Sequence, residues 1–396
     1  CDRLPKVELH AHLHGCVRLS TLEDLLDARE DVAVLRATAL GGRSLDECFA
    51  LFGVIHRAVR SAAAVRRITL EALQDFANDG VRYLELRSTP RALGDVDAEG
   101  YVRVVLEAMA DFERAQHAAG EPWPLTARLL LSIDRAGTCE AAMATVHLAT
   151  HLIAAGGEGA ARVVGIDLSG NPTRGNFSDF VPALDHARGA GLRVTVHCGE
   201  VAGEANDLET SAVLAWRPDR LGHALHLSQA NTEALAQARI PVELCPTSNL
   251  MTLRASCMRQ HPTADALLKV GLGLNSGLAN DIDRELHLEQ HPVCINTDDP
   301  GVFCTSPSAE LALVAVELHL TAEHVARVAT RAIDFAFAPH TPRLDDSNVG
   351  IMLGDAQPAT VGDLRTRIKV GAEQALAMYR AELSYWSTAG QQRHDQ

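Results

Sequence analysis

Aromatic residues are scarce in this chain, at 4% of the total, and no stretch interleaves them with Lys and Arg. Basic residues are also outnumbered: 36 Lys and Arg stand against 51 Asp and Glu, for a formal net charge of −15. Nucleic-acid affinity rests on clustered Lys and Arg facing phosphates, so this balance speaks against a nucleic-acid partner. No long apolar run without charges occurs, which leaves no candidate membrane span. The nine cysteines are odd in number and include no Cys-x-x-Cys pair. Disulfide frameworks and zinc ribbons need paired spacings, so the cysteines read as reduced residues of an intracellular, cytoplasmic protein. The sequence opens on Cys1 rather than Met, so a trimmed N-terminus is expected, and a targeting segment before it stays open.

What is present is a globular composition, 47% apolar and 22% charged over 396 residues. Short apolar runs alternate with longer helical stretches. The strand candidates are 6–13, 81–89, 125–134, 163–169, 192–197, 220–226, 240–245 and 293–297. Helical segments at 62–78, 101–119, 140–155 and 177–190 are followed by Gly80, Gly120, Gly156 and Gly191, the residue type that ends helices. Parallel strands need crossover helices, and eight such units close a barrel. The expectation is a single α/β domain over residues 1–396, a (β/α)8 TIM barrel with insertions at 22–43 and 274–290. Extra C-terminal helices are expected at 309–318 and 321–337, a surface loop at 341–357, and a disordered tail at 391–396.

The polar residues fall at the C-terminal ends of these strands: His10 and His12, Arg87 to Arg91, Asp134-Arg135, Asp167 to Asn171, His197 to Glu200, His223, Thr247 to Asn249, and Asp298-Asp299. Barrel active sites are built at that face. His10 and His12 are two apart, so strand alternation points both into the barrel, with Glu8 on the same face. Burying such a set without a partner is costly, and neutral imidazole suits Zn²⁺, iron and similar ions. His197 offers a third ligand, and Glu200, beyond Gly199, can turn back over the same mouth. Adjacent Asp298 and Asp299 raise each other's pKa unless a cation lies between them, so one can ligate while the other accepts a hydrogen bond. His223 is placed to orient a water or take its proton. The plainer reading makes these a satisfied core pair, a surface turn and an Asp-Asp-Pro turn. Their shared position at one barrel face argues against it. A metal that binds water beside a spare carboxylate is a hydrolase site.

The segments 5–13, 165–170, 196–200, 220–223, 245–249 and 296–300 occur in an order that resembles the adenosine deaminase family of metal-dependent aminohydrolases. The stretches 46–49, 76–91, 134–135 and 168–173 are most similar to its branch acting on N6-methyl-AMP. The resemblance implies one Zn²⁺ per chain held by His10, His12, His197 and Asp298, with the pKa of its water lowered towards ~7. It implies Glu200 as the acid at the purine ring nitrogen N1, and His223 and Asp299 as the pair that orients and deprotonates the attacking water. It also implies a purine contact from the Gly170 N–H, where a missing side chain lets the ring approach. The Pro-Cys-x-x-Cys deaminase architecture does not apply.

Three departures stand out. His14 takes a place where the family has Asp or Asn near the 5′ end of the ribose. A His can donate to a phosphate there, with Thr89 and Arg91 assisting. Ala224 follows His223 where the family often has Gly, and the 274–290 insertion has no family counterpart. The expected function is hydrolytic deamination at purine C6 of N6-methyl-AMP or AMP-type nucleotides to IMP, by a monomer acting on a small purine nucleoside or nucleoside monophosphate. The alternatives are adenosine deaminase proper and a non-catalytic purine-binding protein, which would have no need of Glu200. A two-metal hydrolase of esters or cyclic amides would need a bridging Lys that 167–170 lacks.

Overall fold

Eight strands, buried along almost their whole length, form one parallel sheet in chain order. They are β1 (Lys6–His12), β2 (Val81–Ser88), β3 (Thr126–Asp134), β4 (Val163–Ser169), β5 (Arg193–Cys198), β6 (Arg220–His223), β7 (Val242–Leu244) and β8 (Val293–Ile295). Such near-continuous apolar strands suit a sheet covered on both faces. The computed structural model describes residues 1, 4–26, 44–157, 159–263, 291–338 and 364–378. Past β8, the Asp298 N–H donates to the His10 carbonyl at 2.8 Å and the His12 N–H to the Asp298 carbonyl at 3.0 Å. This bridge between Ala11 and Asp298 joins the last strand's end to the first. The architecture is the expected (β/α)8 barrel.

Outside lie α1 (Leu19–Leu25), α2 (Leu45–Ala58), α3 (Ala62–Asn78), α4 (Ala98–Ala118), α5 (Cys139–Ala155), α6 (Phe177–Gly189), α7 (Glu204–Trp216) and α8 (Gln229–Ala238). Then come α9 (Pro246–Thr252), α10 (Pro300–Phe303), α11 (Pro307–Glu317) and α12 (Ala322–Arg331). Ser61, Thr138 and Ser306 accept from the backbone N–H three residues on; each such cap contributes about 1 kcal/mol. Gly80, Gly120, Gly156 and Gly191 all have positive φ, as helix-ending glycines should.

Two elements end earlier than their apolar pattern suggests. The sixth strand stops at His223 because His223 and Ala224 have φ of 61° and 51°, which a pleated strand cannot continue. The helix expected over 321–337 stops at Arg331 and passes into a 3-10 turn, Ala332–Phe335. That change carries Phe337 to the barrel, where its N–H donates to Glu85 and its ring lies 3.5 Å from the Arg220 guanidinium. Gly165 makes room for the ring: a Cβ there would sit 2.8 Å from it. Most of the expected 22–43 insertion, all of 274–290, the 341–357 loop and the 391–396 tail lie outside the described residues.

The barrel interior is charged. Arg220 pairs with Glu85 at 2.7 Å and Glu243 at 2.5 Å; Arg87 pairs with Asp167 at 3.2 Å and Glu243 at 2.9 Å. All five side chains are fully buried. Buried ions persist only when compensated in this way. No helix among the described residues is long and apolar enough to cross a membrane. None of the nine cysteines is in a disulfide.

Candidate metal and acid–base site

β1 delivers His10 and His12, β5 delivers His197, and the turn after β8 delivers Asp298. His10 Nδ1 lies 2.7 Å from Glu243 Oε2, and His197 Nδ1 lies 3.0 Å from Asp167 Oδ1. Burial opposes ionisation of Glu243, but Arg87 and Arg220 overcome it and hold this carboxyl well below its usual range. Burial likewise opposes ionisation of Asp167, and His197 and Arg87 prevail there. Both carboxylates are therefore acceptors, and both Nδ1 atoms donate. In the neutral rings that leaves lone pairs on the two Nε2 atoms; against burial, Asp298 and Glu243 raise His10, so a cation there would displace its second proton.

Those lone pairs meet at one place. His10 Nε2 is buried with no hydrogen-bond partner. The Nε2 atoms of His12 and His197 face each other at 3.2 Å. Asp298 Oδ1 is 3.3 Å from His10 Nε2 and 3.5 Å from His12 Nε2. Burial pushes His12 down to about 3, with Asp298 opposing, so it is neutral, the form that ligates. An orphaned imidazole nitrogen, two facing nitrogens and a carboxylate oxygen fit a divalent cation with N and O donors, with His10 and His197 each steadied from behind by a carboxylate. His223 also comes close: one ligand atom from each of His10, His197, His223 and Asp298 lies within 4.8 Å of the others.

Around this point sit three further titratable groups. Glu200 Oε1 is buried without a partner, and Oε2 is 3.8 Å from His223 Nε2. Burial pushes the Glu200 carboxyl up to about 7. Asp299 Oδ1 is also buried and unpartnered. Burial, then the neighbouring Asp298 charge, pushes Asp299 well above the carboxylate range. Gly15 makes its place: a Cβ there would fall 1.7 Å from Asp299 Oδ1. His223 is neutral because burial holds it well below its ordinary value. Asp298, like His223, has a left-handed backbone, with φ of 62°. Such strain concentrates at functional sites.

A cavity of about 780 Å³ opens over these groups, within the range of small-molecule sites. Its walls include His12, His14, Thr89, Arg91, Gly170, His197, Glu200, His223, Asp298 and Asp299. Of the residues given metal, catalytic or substrate-binding roles from sequence, His10 alone is absent from the wall; it is fully buried. Gly170 has φ of 101°, and a Cβ there would lie 2.4 Å from Asp134 Oδ1. Arg91 Nη2 is 2.7 Å from His14 Nε2, and the His14 ring is edge-on to His56, centroids 5.2 Å apart. Among the described residues Arg91 forms no ion pair with a carboxylate. Burial, then Arg91, lowers His14 well below its ordinary value and His56 to about 4. A guanidinium in a cavity wall without a counter-ion favours an anion from solution.

Several participants were not assigned roles from sequence. Glu243 and Asp167 orient histidines, Arg87 holds both carboxylates, Ser248 Oγ donates to Asp298 Oδ2 at 2.6 Å, and Asn249 contacts His223. The usable signal was a charged residue inside an apolar strand, which must find a partner. His56 carried no signal, because only the packing of α2 brings it to His14.

Residues 5–277 match the adenosine deaminase family. An Arabidopsis thaliana protein described as N6-mAMP deaminase is 38% identical over 358 residues, covering 85% of this chain and 93% of that protein. N6-Methyl-AMP deaminase of Homo sapiens is 34% identical over 355 residues, covering 86% and 91%. The crystal structure of arabidopsis ADAL complexed with IMP superposes with a TM-score of 0.73 at 34% identity, over 94% of this chain and 97% of that one.

Proposed function

Since the chain belongs to the adenosine deaminase family, whose members are hydrolytic deaminases, we propose that it removes the C6 amine of a purine nucleoside 5′-monophosphate, converting N6-methyl-AMP to IMP and methylamine. The observation that carries the nucleotide over the nucleoside is Arg91, which among the described residues has no carboxylate partner and is bonded to His14 in the cavity wall. A 5′-phosphate supplies the missing counter-charge, and a neutral His56 adds a donor to it; His14 instead positions Arg91, because its Nε2 accepts from the guanidinium and its Nδ1 faces the Tyr101 hydroxyl at 3.5 Å. The relatives named as N6-methyl-AMP deaminases, and the IMP in a solved relative, support the same choice.

The proposed cofactor is one zinc ion held by His10, His12, His197 and Asp298. When bound, it would polarise a water and bring its pKa towards ~7. The rest is the work of side chains. The Gly170 N–H holds the purine. Glu200 gives its proton to N1 as the water oxygen adds to C6. The charge of a bound cation would bring the Asp299 carboxyl back down to its ionised form, and Asp299 then takes one proton of that water while His223 orients it. On collapse the C6–N bond breaks, the amine leaves with the proton from Asp299, and the C6 hydroxyl returns its proton to Glu200. The 6-oxo purine keeps the proton on N1, so both carboxyl groups end as they began.

The test is turnover by the zinc-loaded protein on adenosine, AMP and N6-methyl-AMP side by side, with ammonia or methylamine detected directly. Preference for N6-methyl-AMP is the expected result. Preference for adenosine would keep the chemistry and remove the phosphate role of Arg91 and His14. Inactivity on all three would overturn the reading.

A further inference from the structure

The structure leaves one question about the cation site unanswered by the ligand set itself. A ring nitrogen of His223 is near enough to His10, His197 and Asp298 to be a ligand in its own right. What decides whether it ligates or donates is which ring nitrogen carries the proton, and that is set by the bond on the other nitrogen. An imidazole that accepts a hydrogen bond at one nitrogen carries a single proton, on the other.

A chain of hydrogen bonds places it. The Thr263 N–H, a backbone group that can only donate, lies 3.3 Å from His261 Nδ1. A neutral His261 with that nitrogen accepting carries its proton on Nε2, which lies 3.1 Å from Asn249 Oδ1. The Asn249 amide is thereby oriented with its Nδ2 group towards His223 Nδ1, 3.0 Å away. His223 Nδ1 must then accept, and the proton sits on Nε2, on the side facing Glu200 and the cation site. Thr263 is itself anchored beside His223, since its Oγ1 donates to the Ala224 carbonyl at 3.0 Å. His261 is also held neutral, because burial lowers it to about 4.

We propose that the Thr263–His261–Asn249 chain fixes His223 as the Nε2–H tautomer, making it a hydrogen-bond donor to the attacking water and barring it from the metal's coordination shell. Asn249 and His261 are then positioning residues: they keep a coordination place open for water and leave the proton of that water to Asp299. This rests on the metal-hydrolase reading of the site, but its central claim is a tautomer that can be read without any substrate.

The experiment is NMR of the zinc-loaded full chain labelled with ¹⁵N at histidine, with the His223 signals identified by their loss in H223Q. The wild type should show the His223 proton on Nε2 and Nδ1 bare. In N249D the carboxylate can only accept, so Nδ1 should gain a proton. Turnover should fall on the order of 10²–10⁴-fold, the range lost when a catalytic imidazole is wrongly protonated. The cobalt-loaded N249D protein should show a visible spectrum altered from wild type, as an additional imidazole enters the shell. A wild-type His223 protonated on Nδ1 would overturn the proposal outright. So would an N249D protein whose Nδ1 stays bare while turnover remains within tenfold of wild type. If the protein turns over no purine yet shows the Nε2–H tautomer and its N249D switch, the functional reading fails and the relay stands.

Discussion

Glu200 offers the sharpest test of the chemistry. Its carboxyl is pushed from an ordinary 4.5 up to about 7 by burial, with the Asp298 charge adding to the rise and His197 and Arg135 opposing it. That rise corresponds to ~3 kcal/mol against the ionised form. An ordinary glutamate would hold its proton in roughly one molecule in 300 at pH 7, whereas this one holds it in about half. The site therefore presents ~100-fold more of the acid than an exposed Glu would. A bound cation would lower the value somewhat, so kcat/KM should decline with a slope of one as pH rises through a value at or below about 7. E200Q keeps the shape and removes the proton. Turnover should fall on the order of 10²–10⁴-fold, zinc content by elemental analysis should stay at wild type, and the alkaline limb assigned to Glu200 should vanish from the residual activity. An E200Q protein within tenfold of wild type, or with the same alkaline limb, would refute the assignment.

Three further outcomes are expected. R91M, and likewise H14D, should raise KM for nucleotides ~10–100-fold, the worth of one bond to a charged group, while leaving KM for adenosine near wild type; equal losses on both substrates would remove the phosphate site. D167N should weaken zinc binding ~10–100-fold in chelator competition, because the His197 ring loses the carboxylate that orients it; unchanged affinity would make Asp167 purely a partner for Arg87. Glu310 accepts from the Thr247 N–H and so anchors the start of α9, which carries Ser248 and Asn249, and burial raises it to about 7. A folded-state pKa above the unfolded 4.5 gives stability that is present below pH 4.5 and lost as pH rises through about 7, here up to ~3 kcal/mol. Urea unfolding at pH 5 and pH 8 should show a loss smaller in E310Q than in wild type by up to that amount, the remainder belonging to other raised carboxyls such as Glu200; equal losses in both would mean Glu310 does not ionise within this range in the fold.

The strands and the ligand candidates were legible because their signals are local. Alternation with period two put His10 and His12 on one side of β1, and the apolar run ahead of Asp298-Asp299 placed that pair at a barrel mouth. Glycines marked where helices stop because the left-handed turn needs them. The end of β6 was not legible: Leu221-Gly222-His223-Ala224-Leu225 reads as continuous strand, and only the left-handed φ at His223 and Ala224 ends it. Nor was the helix end at Arg331, where the gain from seating Phe337 over Gly165 outweighs helix propensity.

From sequence alone one can determine which residues meet at the top of the barrel, since strand period and strand order follow from patterns a few residues wide. Which nitrogen of each histidine bears a proton depends on partners far away in the chain: Glu243 for His10, Asp167 for His197, and Asn249 with His261 for His223. The cluster of Arg91, His14 and His56 likewise comes from three separate parts of the chain. Tertiary structure decided these because a proton's position and an unpaired charge are properties of the surroundings in space, and no local pattern encodes them.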